Sequence, residues 1–260
     1  MRSCHRFAGM GTGVVTRSSV VDEVTDQIAF QIASGRWEAG ERLPSIRRLA
    51  AEYGINPSTV QLVLGRLRAA GFVEARQGLG VVVRDIQVHG GIETWQYLFR
   101  FSRRLPDLTV RILQDVLEAL RVFYGDALRK FVADPDAYEL RPVLGALQRL
   151  ELVAAAETPM AEDMHRAVLQ LLRSGLAMTG GGITLGVLNS LGGMLSEVPE
   201  VLDALYADPA EVVGLVRHAM TAWEKQDLES WRRTVADLEE WHAEVVRRFR
   251  AGLESSPADS

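Results

Sequence analysis

At 260 residues, with 47% hydrophobic and 24% charged side chains, the chain is long enough for two modest domains and has the balance of a soluble globular protein. The net charge of −5 conceals an asymmetry: residues 1–90 hold 11 Arg against 8 Asp and Glu, net +3, while residues 91–260 hold 18 basic and 26 acidic side chains, net −8. A mildly basic module can meet nucleic-acid phosphates while an acidic one stays off the duplex. Cys4 is the single cysteine, which excludes an intramolecular disulfide and a CxxC zinc site.

No apolar run of about 18 residues predicts a transmembrane helix, and the N-terminus has no apolar core of secretory type. A cytoplasmic address with no membrane partner is therefore expected. Residues 1–17 read as a disordered tail, with Met10 a plausible alternative start. The first periodic segment is Val20–Ala33, where Val21, Val24, Ile28 and Ile32 share one helical face behind a Ser19/Asp22 cap. The turn-rich SGRWEAGERLPS follows, and Ser45 caps a short helix over 46–53 that Gly54 ends. In GINPSTV, Asn56 is a favoured N-cap and Pro57 suits the first helical position, where a missing N–H costs nothing. Val60, Val63, Leu64 and Leu67 form the buried stripe of that helix, and Gly71 ends it. FVEAR and VVVRD, joined by QGLG, predict a glycine-turned hairpin.

This order predicts a winged helix-turn-helix over residues 18–85. In such a module the second helix of the motif enters the major groove with its N-terminal residues on the bases. The candidate DNA-binding residues are Ser45, Arg47 and Arg48, then Asn56, Ser58, Thr59 and Gln61, with Arg76, Gln77 and Gly78 at the wing. Gln61 can pair bidentately with adenine. Short hydroxyls can bond phosphate or base edges without holding the backbone away.

Beyond residue 90 the segments read as helices, about 92–104, 108–133, 136–156, 160–175, 183–205, 209–226 and 228–251, with no alternating strand pattern. In the last of them Trp231, Val235, Leu238, Trp241, Val245 and Phe249 recur at spacings of three and four. The fold class expected is mainly α: the winged helix-turn-helix, then an all-α helical-bundle sensor domain over 91–252, with a tail at 253–260.

The run from Leu43 to Val83 resembles the GntR family of bacterial transcription regulators, through Leu43-Pro44-Ser45, Arg47, Leu49-Ala50, Gly54-Ile55, Thr59-Val60, Leu67, Gly71 and Gly78-x-Gly80. The resemblance implies DNA contacts from Arg47, Ser58, Thr59, Gln77 and Gly78. Many members carry arginines where this chain has Pro57 and Gln61, so more of the readout is expected from Arg47 and the wing. The all-helical remainder resembles the branch named after the fatty-acid regulator FadR, through Asp115-x5-Arg121, GGGITLGVLN ending at Asn189, LYADPAE at 205–211 and the terminal RR…EEWH.

That resemblance implies a homodimer on a double-stranded operator, with a small effector, a fatty acyl-CoA or a carboxylate, in the helical domain. The candidate effector residues are Arg121, Tyr124, His165, Asn189 and Trp223. Members that bind a metal place an aspartate where Ala161 stands and histidines where Val216 and Leu238 stand; only His165 matches. Neither a metal of that type nor any other cofactor is expected. Two other readings stay open: a constitutive DNA-binding regulator without effector, and a metal-dependent helical enzyme that uses the winged helix for docking. Against the enzyme, the chain has no GxSxG, Walker A or HExxH motif, so no catalytic residue is assigned.

Overall fold

The computed structural model describes residues 19–179, 182–225 and 228–255. The expected tail at 1–17 with Cys4 and Met10, and residues 256–260, lie outside the described residues. The chain divides into two compact units, one up to Asp85 and one from Ile86 onward.

The first unit is a winged helix-turn-helix: α1 (Val20–Ala33), α2 (Ile46–Tyr53), α3 (Pro57–Ala69) and the antiparallel pair β1 (Val73–Arg76) and β2 (Gly80–Val83). Local chemistry sets each boundary. Ser19 and Asp22 form a reciprocal capping box on α1. Gly54 ends α2 with φ 64° and ψ 30°, a left-handed conformation that costs glycine nothing. Two residues later Asn56 starts α3, its Oδ1 accepting the Thr59 backbone N–H at 2.8 Å, with Pro57 at the first helical position. Ile28, Leu49, Val63, Leu67, Phe72 and Val82 close the core. Arg42 adds a bridge to Val82, tying the loop before α2 to the hairpin.

The second unit is helical throughout its described residues. It comprises α4 (Ile86–His89), α5 (Ile92–Phe99), α6 (Pro106–Ala133), a 3-10 turn (Pro135–Ala137), α7 (Arg141–Ala154), α8 (Ala161–Thr179), α9 (Gly182–Leu195), α10 (Pro199–Leu205), α11 (Pro209–Lys225) and α12 (Leu228–Ser255). The long α12 packs along α6 and α11 and meets α10, while α7 packs on α8. Val245 and Phe249 of α12 are fully buried.

The helix α8 runs on to Thr179 and α12 to Ser255, the latter into the segment expected as a tail from 253; three other differences in extent are explained by prolines. The segment expected over 183–205 breaks into α9 and α10, because Pro199 cannot donate an N–H and pushes Val198 out of helical geometry to φ −122°, ψ 99°. The segment expected over 92–104 stops at Phe99 and turns before Pro106 opens α6. The one expected from 136 begins at Arg141, after the turn at Pro135. The short α4 was not anticipated; a single turn carries no readable periodicity.

Two histidines of this unit are shielded from water, His165 buried and His242 half-buried. His165 of α8 bridges the Tyr206 hydroxyl, 2.8 Å from Nδ1, and the Gly192 carbonyl, 2.9 Å from Nε2. A carbonyl only accepts, so Nε2 carries the hydrogen and Nδ1 of the neutral ring accepts from Tyr206. Burial lowers the His165 pKa. Burial, then the nearby Arg121 charge, pushes His242 down to about 4.

Two measurements test these assignments. Asn56→Ala removes the α3 cap and is expected to cost about 1 kcal/mol of stability, read by denaturant unfolding. The histidines give the second. Their folded pKa values lie below the ordinary 6.5, so below that pH the unfolded chain binds protons that the folded chain refuses. Stability is therefore expected to fall as the pH drops from 6.5 toward about 4. Thermal melts from pH 7.5 to pH 5 should show the decline above the range where carboxylates titrate. His242→Gln should flatten it; an unchanged slope would count against a buried neutral His242.

Candidate functional site

The buried stripe of α3 dictates what faces outward. With Val60, Val63, Leu64 and Leu67 in the core, Ser58, Gln61, Leu62, Gly65 and Arg68 recur on the other side at helical spacing. Leu62 is 61% exposed, a large apolar side chain left uncovered in the middle of that stripe. Gln61, Gly65 and Arg68 line a shallow cleft with Glu74 and Ala75 of β1 and Val81 of β2, so the helix and the wing share one concave surface.

The start of α3 is organised around one oxygen. Asn56 Oδ1 accepts the Thr59 backbone N–H, the Ser58 hydroxyl at 2.6 Å and the Thr59 hydroxyl at 3.0 Å. Both hydroxyls therefore sit at the exposed helix tip in fixed rotamers. Ser45 caps α2, accepting the Arg48 backbone N–H at 3.3 Å, and Arg47 and Arg48 project from the first turn into solvent. At the wing, Gln77 and Gly78 are exposed, while the Arg76 Nε donates to Glu74 at 2.6 Å. Arg76 is thus braced along the strand, its charge partly offset by its neighbour.

Two arginines belong to this surface that the sequence reading passed over. Arg68 lies in the last turn of α3, beside the wing. Arg42 lays its guanidinium 3.4 Å from where a Cβ on Gly80 would stand, and Gly80 has φ 88°. A side chain at position 80 would be strained and would displace that arginine. The bridge between Arg42 and Val82 is what brings it there, a long-range pairing with no local signature. The other α3 arginine, Arg66, pairs with Asp22 of α1.

In the helical unit a cavity of about 190 Å³ opens between α6, α7, α8, α11 and α12. Tyr124 and Phe131 of α6, Leu176 of α8, Met220 and Trp223 of α11 and Leu238 of α12 are among its walls. Of the expected effector residues, Tyr124 and Trp223 are here and three are elsewhere. Arg121 donates to Glu118 through Nε at 2.8 Å and also pairs with Glu239 at 2.9 Å, so its fork is already filled by carboxylates. Asn189 is exposed and accepts from the Arg173 Nε at 2.7 Å. His165 serves the packing of α8 against α9 and the end of α10. Val216 and Leu238, the positions where the resemblance implies metal-binding histidines, both line the cavity. Among the described residues no three His, Cys, Asp or Glu side chains come together as metal donors, and no helix is long and apolar enough to cross a membrane.

The family model for bacterial regulatory proteins of the gntR family matches residues 20–83, the winged helix-turn-helix from α1 through β2. The HTH-type transcriptional regulator Mce2R of Mycobacterium tuberculosis is 37% identical over 155 residues, 58% of this chain and 60% of Mce2R. The regulator Mb0601 of Mycobacterium bovis matches to the same extent. The chain thus spans about 60% of the length of these curated relatives. The HTH-type transcriptional regulator YhcF of Bacillus subtilis is 30% identical over 105 residues, which cover 86% of it. The solved structure of Lar, described as controlling the Listeria monocytogenes agr system, shares the fold at a TM-score of 0.51 and 14% identity, over 90% of this chain and 98% of Lar. With its whole winged helix matched by the family model and an HTH-type regulator matched over most of its length, the chain belongs to the GntR family of bacterial regulatory proteins.

Proposed function

We propose that the chain is a cytoplasmic transcription regulator that binds a double-stranded DNA operator as a homodimer, with residues 18–85 reading the DNA and residues 91–252 pairing the two copies and holding a small effector. Its relatives are named as transcriptional regulators rather than enzymes. The observation that carries the reading is the concave surface formed by the exposed stripe of α3 and the hairpin, with Gln61 and Arg68 in its wall. A helix of this width fills a major groove, and its N-terminal hydroxyls and N–H groups meet phosphates or base edges. Gln61 reads a base edge; Arg47, Arg48 and the wing set the register on the backbone. The cavity of the helical unit is the effector's seat, and an effector acts by binding one of two forms of the dimer more tightly. Operator and effector then alter each other's affinity by the same factor.

Gel retardation on the chain's own upstream region tests the DNA reading. Replacing Arg47, Ser58 and Thr59 together with alanine should abolish retardation while circular dichroism shows the fold retained; unchanged binding would sink the assignment. Gln61→Ala should cost about 1–3 kcal/mol on the best site and relax preference at one base pair. Asn56→Asp separates capping from recognition: the cap survives and stability is kept, but the new negative charge beside the phosphates should weaken binding. Affinity should fall steeply and linearly on a logarithmic salt axis.

A further inference from the structure

Two residues in the wall of the helical unit's cavity carry buried hydrogen-bonding groups with nothing to bond. The Tyr124 hydroxyl and the Trp223 indole N–H are both shut off from solvent and lack a partner, and both residues line the cavity. Among the described residues the other buried side-chain atoms without a hydrogen bond, Arg84 Nε and Trp241 Nε1, belong to residues outside it. Leaving a buried polar group unbonded is costly, and such a group is best explained by something that completes it.

The rest of the wall says what that something is. Among the described residues no Asp, Glu, Lys, Arg or His lines the cavity. The other hydroxyl there, on Thr234, already donates to the Ser230 carbonyl at 3.0 Å. The cation that could have met a carboxylate, Arg121, is held by Glu118 and Glu239 and lies outside the wall. A charged ligand group taken into this space would lose its water and gain no counter-charge. An indole N–H only donates. The phenol stays protonated, because burial pushes its pKa up. Among the described residues, the polar groups on offer are therefore two neutral ones that can both donate, the indole by donation alone and the phenol able to accept as well.

We infer that the cavity binds an uncharged, largely apolar molecule carrying a hydrogen-bond acceptor, such as a ketone, ester or ether oxygen, which Tyr124 and Trp223 complete. The inference rests on the reading of the helical unit as effector-binding and narrows its ligand to a class that excludes free carboxylates and acyl-CoA head groups from the cavity. Size narrows it further. A cavity of about 150 Å³ takes a benzene ring, and drug-sized pockets begin near 300 Å³. At about 190 Å³ this one suits a compact ligand, on the order of ten non-hydrogen atoms.

Three probes of matched size and shape separate the possibilities on the full-length chain: propiophenone, propylbenzene and 3-phenylpropanoate, with octanoyl-CoA as a fourth. Binding is read by calorimetry and by the shift in melting temperature. Propiophenone is expected to bind about tenfold tighter than propylbenzene, the worth of a hydrogen bond to a waiting donor. At pH 7.5, 3-phenylpropanoate and octanoyl-CoA should bind more weakly than both. Tyr124→Phe should reduce the ketone's advantage and leave propylbenzene unchanged. It should not lower the melting temperature of the free protein, because it removes a hydroxyl that had no partner. Trp223→Phe gives an independent check of the second donor. Tighter binding of either charged probe overturns the inference, as does a ketone advantage that survives in both variants. Operator retardation by the same samples distinguishes the two levels. A charged probe that binds and alters retardation overturns the uncharged class but leaves a ligand-responsive regulator standing. Four probes that neither bind nor alter retardation overturn both.

Discussion

Asn56 Oδ1 gathers one backbone N–H and two hydroxyls, and the reading surface is built outward from that point. The cap fixes where α3 begins. Its beginning fixes the phase of the helix, and the phase decides that Val60, Val63 and Leu67 face the core while Gln61 and Arg68 face the wing. A start one residue later would rotate the stripe by about 100°. In the free protein the Ser58 and Thr59 hydroxyls already donate to this oxygen, so under the proposed reading a phosphate would have to compete for them. On that reading the net worth of such contacts would be smaller than a count of hydrogen bonds implies, and they would hold geometry as much as add affinity.

The helical unit faces the opposite problem. The winged helix achieves definition by filling its small core, with Phe72, Leu67 and Val63 fully buried. The bundle is long enough to bury a far larger apolar surface, and it leaves part of that interior open. Close packing is the norm in protein interiors, and open volume forfeits dispersion contacts along every wall. Polar order is retained next door, where His165 joins Tyr206 and Gly192 in a closed set of hydrogen bonds. A satisfied network thus stands beside an unsatisfied pair, on Tyr124 and Trp223.

Much of the first unit was legible because its signals are local. The Ser19/Asp22 box, Gly54, the Asn56-Pro57 start and the glycine hairpin each act within a few residues, and each stands where it was expected. The helical character of the second unit was equally readable, while its boundaries gave way at Pro106, Pro135 and Pro199, which outweigh apolar periodicity. The interior was not readable in the same way. Periodicity tells which side chains turn inward, not whether they meet. Tyr124 and Trp223 were within reach of the reading because each is large and bears a polar tip, whereas Phe131, Leu176 and Met220 carry no mark separating a cavity wall from a filled core. Arg121 looked like an anion site from its chemistry alone; its three-dimensional neighbours, Glu118 one turn before and Glu239 on another helix, had claimed it.

The cavity has a mechanical consequence as well. Open space inside a folded unit vanishes when the unit unfolds, so the folded form occupies the larger volume and hydrostatic pressure works against it. By the same physics an occupant of the cavity would oppose the effect of pressure on this unit.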